Sequence, residues 1–323
     1  MGRTVLTTIA ASHAWRAVAW GLLGLLWLAS ARAQVPALAP MQVPDAVERV
    51  QFEVPAGDSG SKVTLQAWWY RPPAALAPAT GKDSAKPILP AVLLLHGCGG
   101  MLNRRGQPAE RMREYAALLN EQGWHALAVD SLTPRGEKEL CTQRIGTRKI
   151  NQNDRRRDAL AALEWLAAQP GVDGQRLALL GWSHGGSAVL AASNLRHADV
   201  AAAKVLPRLS VAFYPGCGSD LRGGYRPATD TLMLVGKADD WTPAAPCQAL
   251  AARRGDTPGS REVRVVAYEG AYHGFDGTVP LRLRTDVPNG VYPGQGVHVG
   301  GHPVAREQSR KELLAALNKA FGR

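Results

Sequence analysis

The chain has 323 residues, 46% of them apolar and 20% charged, with a formal net charge of +11. That balance excludes a disordered or fibrous protein, and the length is within reach of one large α/β domain. The basic residues are scattered apart from Asp154 to Asp158 (DRRRD), and no nucleic-acid motif accompanies them. They read as a solvated surface, which leaves anionic small molecules open as ligands.

At the amino end, Arg3 and Arg16 precede the apolar run Ala17 to Ala29, which is shorter than the roughly 20 residues a membrane helix needs. Ala31 and Ala33 follow at the positions a signal peptidase reads. The expectation is a signal peptide over residues 1–33, cleaved after Ala33, and a single periplasmic or secreted domain over residues 34–323 with no membrane span. An uncleaved anchor is the alternative. Loss of Arg3, Arg16 and Arg32, with no acids among them, would take the charge from +11 to +8.

Beyond a Pro/Ala-rich leader, Arg49 to Val54 and Lys62 to Pro72 read as strands, and Pro72 to Pro87 as a loop. Leu89 to Gly97 (LPAVLLLHG) is nearly continuously apolar, as a strand buried on both faces of a parallel sheet would be. Met112, Tyr115 and Leu119 share one helical face, with Gly123 as a stop. Trp124 to Asp130 is a further strand. Leu160, Leu163 and Ala167 mark a helix that ends at Pro170 and Gly171. Arg176 to Ser183 is a strand and His184 to Leu195 a helix. Arg208 to Pro215, Thr231 to Lys237 and Arg261 to Gly270 are strands, the last of them closing the series. Leu313, Leu314, Leu317 and Phe321 give a terminal amphipathic helix. Eight strands alternating with helices imply an α/β fold: a mainly parallel sheet covered on both faces.

The chemistry concentrates where one of these strands meets a helix. Gly181 to Gly185 (GWSHG) fits G-x-S-x-G at that junction, the context of a nucleophile elbow. Glycines there tolerate close backbone contact, and a tight turn lifts the Ser183 hydroxyl clear of the sheet. A serine hydroxyl is a weak nucleophile until a base removes its proton. On an α/β-hydrolase sheet the partners follow in the order Ser, acid, His. Asp239 and Asp240 lie just after one strand (GKADDWTP), and His273 follows the last (YEGAYHGFD). For an oxyanion, the N–H of His184 opens the helix, and the glycine-rich loop Gly97 to Met101 supplies a second donor, Cys98 before Gly99. His96 reads as a structural residue of that loop.

Together, HGCGGM, VDSLTPRG, GWSHGG, GKADDWTP and YHGFD resemble the dienelactone hydrolase family of the α/β-hydrolase fold, over roughly Lys62 to Phe321. The resemblance implies hydrolysis of a carboxylic ester or lactone by Ser183, His273 and an aspartate. The family pattern places that acid four residues before the loop proline, here Pro243, which selects Asp239 and leaves Asp240 facing outward or capping the next helix. Two departures are visible. Dienelactone hydrolases proper carry a cysteine nucleophile where this chain has Ser183, and a glutamate in the loop where it has Gly97. An arginine after the second long strand binds substrate carboxylate in that family. Arg135 lies near that place, and is either such a contact or a loop-stabilising residue.

In such a fold the strands ending near Gly97 and Asp130 are neighbours, as are those ending near Pro215 and Lys237. This implies the pairs Cys98–Cys141 and Cys217–Cys247, against the alternative of free thiols. Asp276 to Pro303 is either a partial lid or a surface excursion. No cofactor and no metal are expected: no HExxH, C-x-x-C or phosphate-binding loop occurs. The rival readings are a peptidase or acyltransferase on the same triad, and a silent binding protein with this fold.

Overall fold

The computed structural model describes residues 47–57, 61–73, 87–253 and 261–322, all within the unit Pro40–Arg323. The expected signal peptide, with its cleavage site after Ala33, lies outside the described residues, as does most of the loop Pro72 to Pro87. Eight strands form the main sheet: β1 (Val47–Ala56), β2 (Ser61–Tyr70), β3 (Leu89–Leu95), β4 (His125–Asp130), β5 (Val172–Trp182), β6 (Leu209–Phe213), β7 (Asp230–Gly236) and β8 (Val263–Tyr268). Their order is β1-β2-β4-β3-β5-β6-β7-β8. β2 runs antiparallel to both β1 and β4, and all other neighbours are parallel.

The apolar run of β3 is buried along its whole length because both faces are covered. Its side chains alternate between two cores. Val92 and Leu94 face α1 (Glu110–Glu121) and α7 (Pro303–Phe321), while Ala91, Leu93 and Leu95 face α2 (Gln152–Ala167), α3 (His184–Ala192) and α6 (Ala244–Ala252). In α1 the buried face includes Met112, Tyr115 and Leu119, and Gly123 follows it with a positive φ of 74°.

β3 lies between β4 and β5, so the chain leaves it first to one side and later to the other. In such a sheet a crevice opens at the carboxyl ends of the strands where the order reverses, and the loops after β3 and β5 meet there.

The sequence reading missed several small elements. α4 (Ala198–Ala201), α5 (Gly218–Gly223) and a 3-10 turn at Thr133–Arg135 are too short to carry a periodic signal. β5 starts at Val172, ahead of the expected Arg176. β8 closes the main sheet, but β9 (Arg282–Arg284) and β10 (Val297–Val299) pair as a hairpin inside Asp276 to Pro303. Three-residue strands among glycines and prolines show no alternation to read.

Candidate active site

Ser183 sits between β5 and α3 with φ 53° and ψ −118°, a backbone conformation that is uncommon outside glycine. Packing holds it there. A Cβ on Gly181 would fall 2.4 Å from the Gly185 carbonyl oxygen, and one on Gly185 would fall 2.0 Å from that of Leu95. The flanking glycines are therefore required by backbone approach. The Ser183 N–H donates to the Phe213 carbonyl at 2.9 Å, tying the turn to the end of β6. Serine at a helix start usually caps the helix with its side chain. Here the hydroxyl makes no capping bond.

His273 and Asp239 are both buried, and His273 Nδ1 lies 2.9 Å from Asp239 Oδ2. A carboxylate only accepts, so Nδ1 carries the ring proton and Nε2 keeps its lone pair. The other carboxylate oxygen, Oδ1, accepts the N–H groups of Trp241 at 2.9 Å and Thr242 at 2.8 Å. The Thr242 hydroxyl lies 3.1 Å from Asp239 Oδ2, 3.0 Å from His273 Nδ1 and 2.9 Å from the Tyr214 carbonyl oxygen. The imidazole is flanked by the rings of Tyr214 and Trp241, at 4.5 and 4.6 Å between centroids. Asp240 neither faces outward nor caps α6: its carboxylate accepts the His298 N–H at 2.8 Å and meets His298 Nδ1 at 2.6 Å.

A cleft of about 1010 Å³ opens beside Ser183. Cys98 and His184 line it with Ser183, as do Trp241 and Thr242, the two residues that also touch His273. The His184 N–H is the first of α3 and has no acceptor within the helix. The Gly97 carbonyl accepts from Gly100 N–H at 3.3 Å and lies 2.7 Å from His96 Nδ1. In a trans peptide the N–H points opposite to the carbonyl, so the Cys98 N–H is turned away from those partners. His96 is structural: its Nδ1 donates to that carbonyl, and its Nε2 accepts from Ser131 N–H at 3.3 Å. Burial, and then the Arg155 charge, hold its ring well below the usual histidine range, which keeps it neutral.

Cys98 is bonded to Cys141, and Cys217 to Cys247. The first disulfide anchors the glycine-rich loop, where Leu140 N–H also bonds the Cys98 carbonyl at 2.7 Å. Pro288, Asn289, Gly290 and Pro293 contribute a wall of the cleft, so the segment after His273 shapes the site. A second cavity of about 680 Å³ lies at the amino ends of β6 and β7, the opposite end of the sheet from Ser183.

Arg135 does not line the cleft. Its guanidinium grips buried Asp158 at 2.6 and 2.9 Å and the Ser131 carbonyl at 2.7 Å, and so fastens the loop after β4 to α2. The arginines that do line the cleft are Arg148, Arg156 and Arg196. Arg156 is paired with Asp199 at 2.9 Å, whereas Arg148 bonds the Gln143 carbonyl.

Two buried charges escaped the sequence reading. Asp276, three residues after His273, accepts Tyr214 Oη at 2.6 Å, Tyr115 Oη at 2.9 Å, Trp182 Nε1 at 3.0 Å and Arg111 Nε at 3.1 Å. Burial alone would raise its carboxyl; the Arg111 charge and the hydrogen bonds outweigh this and hold it below the ordinary value. It thereby links the residue before Ser183 to the ring beside His273. Arg155, in the first turn of α2, is fully buried. It donates to the His96 carbonyl at 2.8 Å and to His184 Nδ1 at 3.1 Å, and burial pushes its guanidinium down to about 10. Each residue stood inside a quoted motif, YHGFD and DRRRD, where nothing marked it as buried.

A family model described as the dienelactone hydrolase family matches residues 77–282, more than half of the chain. The chain belongs to the dienelactone hydrolase family. It has the α/β-hydrolase fold and is a hydrolase acting on ester bonds. Among solved structures, a dienelactone hydrolase-like promiscuous phosphotriesterase from metagenomic libraries is 19% identical, with a TM-score of 0.55 over 85% of this chain and 99% of that one. Esterase 2 of Thermogutta terrifontis, phosphoramylated by tabun, is 19% identical, with a TM-score of 0.51 over 88% and 98%. A puromycin-hydrolysing peptidase of Mycobacterium tuberculosis is 16% identical, with a TM-score of 0.57 over 87% of this chain but 40% of that one. At these identities the likeness is one of fold. No curated protein matches this family member in sequence.

Proposed function

We propose that this protein is an exported serine esterase, one domain over residues 34–323 after cleavage following Ala33, which opens a carboxylic ester or lactone through an acyl-enzyme. The observation that carries the reading is the buried Asp239–His273 bond of 2.9 Å, made through Nδ1 and leaving Nε2 as a base, packed on Trp241 and Thr242, which share a cleft with a strained Ser183 whose hydroxyl does not cap its helix.

His273 Nε2 takes the Ser183 proton as Oγ bonds to the substrate carbonyl carbon, and the carbonyl electron pair moves onto oxygen. The N–H groups of Cys98 and His184 receive that oxyanion. Its collapse breaks the ester C–O bond, and the leaving alkoxide takes the proton from His273. Water then attacks the acyl-enzyme by the same route, releasing the acid and restoring Ser183. Asp239 holds the imidazole in its tautomer and stabilises its charged form. Arg148 and Arg196 on the cleft wall support an anionic substrate. Two disulfides support an oxidising compartment.

A fluorophosphonate probe tests the mechanism: mass spectrometry should find its adduct on Ser183, with loss of hydrolysis of p-nitrophenyl esters and lactones in proportion. Hydrolysis that survives Ser183→Ala sinks the reading. Half-esters of dicarboxylic acids should outrun neutral esters of equal length if the arginines bind substrate. The mature amino terminus should be Gln34, and finding Met1 or Gly2 on exported protein would overturn the export reading. Four alkylatable thiols in protein from an oxidising compartment would do the same.

A further inference from the structure

Arg155 is a buried cation of an unusual kind in this molecule. The other well-shielded arginines have acids: Arg135 has Asp158, Arg156 has Asp199 and Arg310 has Glu114. Among the described residues no carboxylate comes within ion-pair distance of Arg155, and the acid one turn along its own helix, Asp158, is occupied by Arg135. Asp158 and Asp130 act on it only through space, and a buried charge that bonds no acid directly is costly to keep. Its two partners instead are the His96 carbonyl at 2.8 Å and His184 Nδ1 at 3.1 Å. Those residues belong to the two segments that carry the oxyanion donors. His184 provides one N–H itself, and the His96 carbonyl is one residue from the peptide that provides the other, that of Cys98.

We propose that Arg155 is a positioning residue of the oxyanion site, and that its buried guanidinium, bonded to no carboxylate, favours the oxyanion formed on attack by Ser183. The proposal rests on the acyl-transfer reading of Ser183. A guanidinium only donates, so the contact with His184 leaves Nδ1 of that ring as acceptor and puts its proton on Nε2. Burial, and then the charges of Arg155 and Arg148, keep the ring neutral, so no second cation forms beside the turn. Through His96, Arg155 also anchors the strand end from which the Gly97–Cys98 peptide leaves. The substrate carbonyl carries no net charge, whereas the tetrahedral intermediate carries a full one. A fixed cation behind the donors therefore favours the transition state over bound substrate. Its removal should lower kcat and leave KM largely unchanged, which loss of a merely structural contact would not arrange.

The test uses the full mature protein with Arg155→Lys, which keeps the charge, and Arg155→Gln, which keeps a donor but not the charge. Diethyl p-nitrophenyl phosphate should release one equivalent of p-nitrophenol and leave its adduct on Ser183 in the unsubstituted protein. Absence of that adduct defeats the acyl-transfer reading whatever Arg155 does. With the adduct present, Arg155→Gln should lower kcat for p-nitrophenyl acetate roughly 10- to 100-fold, less than the 10²–10³-fold cost of deleting an oxyanion donor. KM should stay within about threefold, because ground-state binding is spared. Affinity for a trifluoromethyl ketone, which binds serine as a tetrahedral anion, should fall by the same factor as kcat. Arg155→Lys should recover a large part of both. The proposal is overturned by unchanged kcat in folded Arg155→Gln, by a loss confined to KM, or by a lysine variant no better than glutamine. Should Arg155→Gln fail to fold, Arg155→Lys decides: kcat and ketone affinity should stay matched, at or moderately below the unsubstituted values with KM spared, and a loss of kcat that the ketone does not share, or a loss confined to KM, overturns the proposal.

Discussion

Two aspartates stand side by side after β7, and each meets a histidine Nδ1: Asp239 meets His273 at 2.9 Å, and Asp240 meets His298 at 2.6 Å. The second contact is the shorter. The surroundings differ more than the distances. The His273 and Asp239 side chains are 5% and 0% exposed, while those of His298 and Asp240 are 41% and 25% exposed. His273 lies between Tyr214 and Trp241, and its neighbours Trp241 and Thr242 line the cleft beside Ser183. His298 belongs to the β9–β10 hairpin and packs on Tyr272. Asp240 also accepts the Val291 N–H through its carbonyl at 2.8 Å, so both its polar groups hold the segment that walls the cleft. An Asp–His pair is thus not by itself a catalytic signature. In the buried pair water is excluded and every contact is fixed, which orients an imidazole; the exposed pair is screened, and serves as a tether.

The largest effect that would sharpen this comparison is on turnover. Asp239→Asn should lower kcat for a p-nitrophenyl ester by roughly 10³–10⁴, because an amide misorients the imidazole and cannot stabilise its charged form. Ser183→Ala and His273→Ala should be at least as damaging, and their combination should not multiply, because the residues act as a unit. If Asp240→Asn is the crippled variant while Asp239→Asn stays active, the two pairs have exchanged roles.

Next comes the support beneath the buried pair. Asp276→Asn should cost about 3–5 kcal/mol in urea unfolding, since Arg111 and its neighbours lose the charge they surround. The pH dependence has a definite sign. Asp276 is held below its ordinary value in the folded state, so its contribution is present above the unfolded value of about 3.9 and is lost as pH falls through the folded one. Stability of the unsubstituted protein should therefore fall on acidification below about pH 4, with a shallower slope there in Asp276→Asn. Equal slopes would show that Asp276 is not what titrates.

The smallest effect should come from the exposed pair. Asp240→Asn should reduce kcat less than tenfold, about 1.4 kcal/mol. It should act on KM more than on kcat, because what loosens is the cleft wall, and His298→Ala should behave alike. A loss beyond a hundredfold in either would make the tether part of the chemistry.

Much of this was legible before any coordinates. The apolar run Leu89 to Leu95 could only be a strand covered on both faces. Gly181, Ser183 and Gly185 at a strand-to-helix junction declared a turn that needs glycines, and chain order put His273 beyond Asp239. Arg135 stayed open between substrate contact and loop support because proximity in sequence to a strand end says nothing of which partner a guanidinium meets; buried Asp158, on a different element, claims it for the loop. Asp276 and Arg155 were invisible for the same reason. A charged residue reads as solvated until the packing around it is known, and Asp276 draws its partners from three separate places in the chain: α1, the end of β5 and the residue after β6.

The sequence by itself determined the period of each long element and the glycine-dependent turn at Ser183, because these depend on neighbours a few positions apart. Only the tertiary structure decided that Asp240 holds His298, which arginine meets the cleft, and which buried charges bond an acid directly. Those outcomes rest on contacts between segments as far apart as 165 residues along the chain, as from Arg111 to Asp276. Solvent exclusion at such contacts sets the strength of a charge, and no local pattern encodes it.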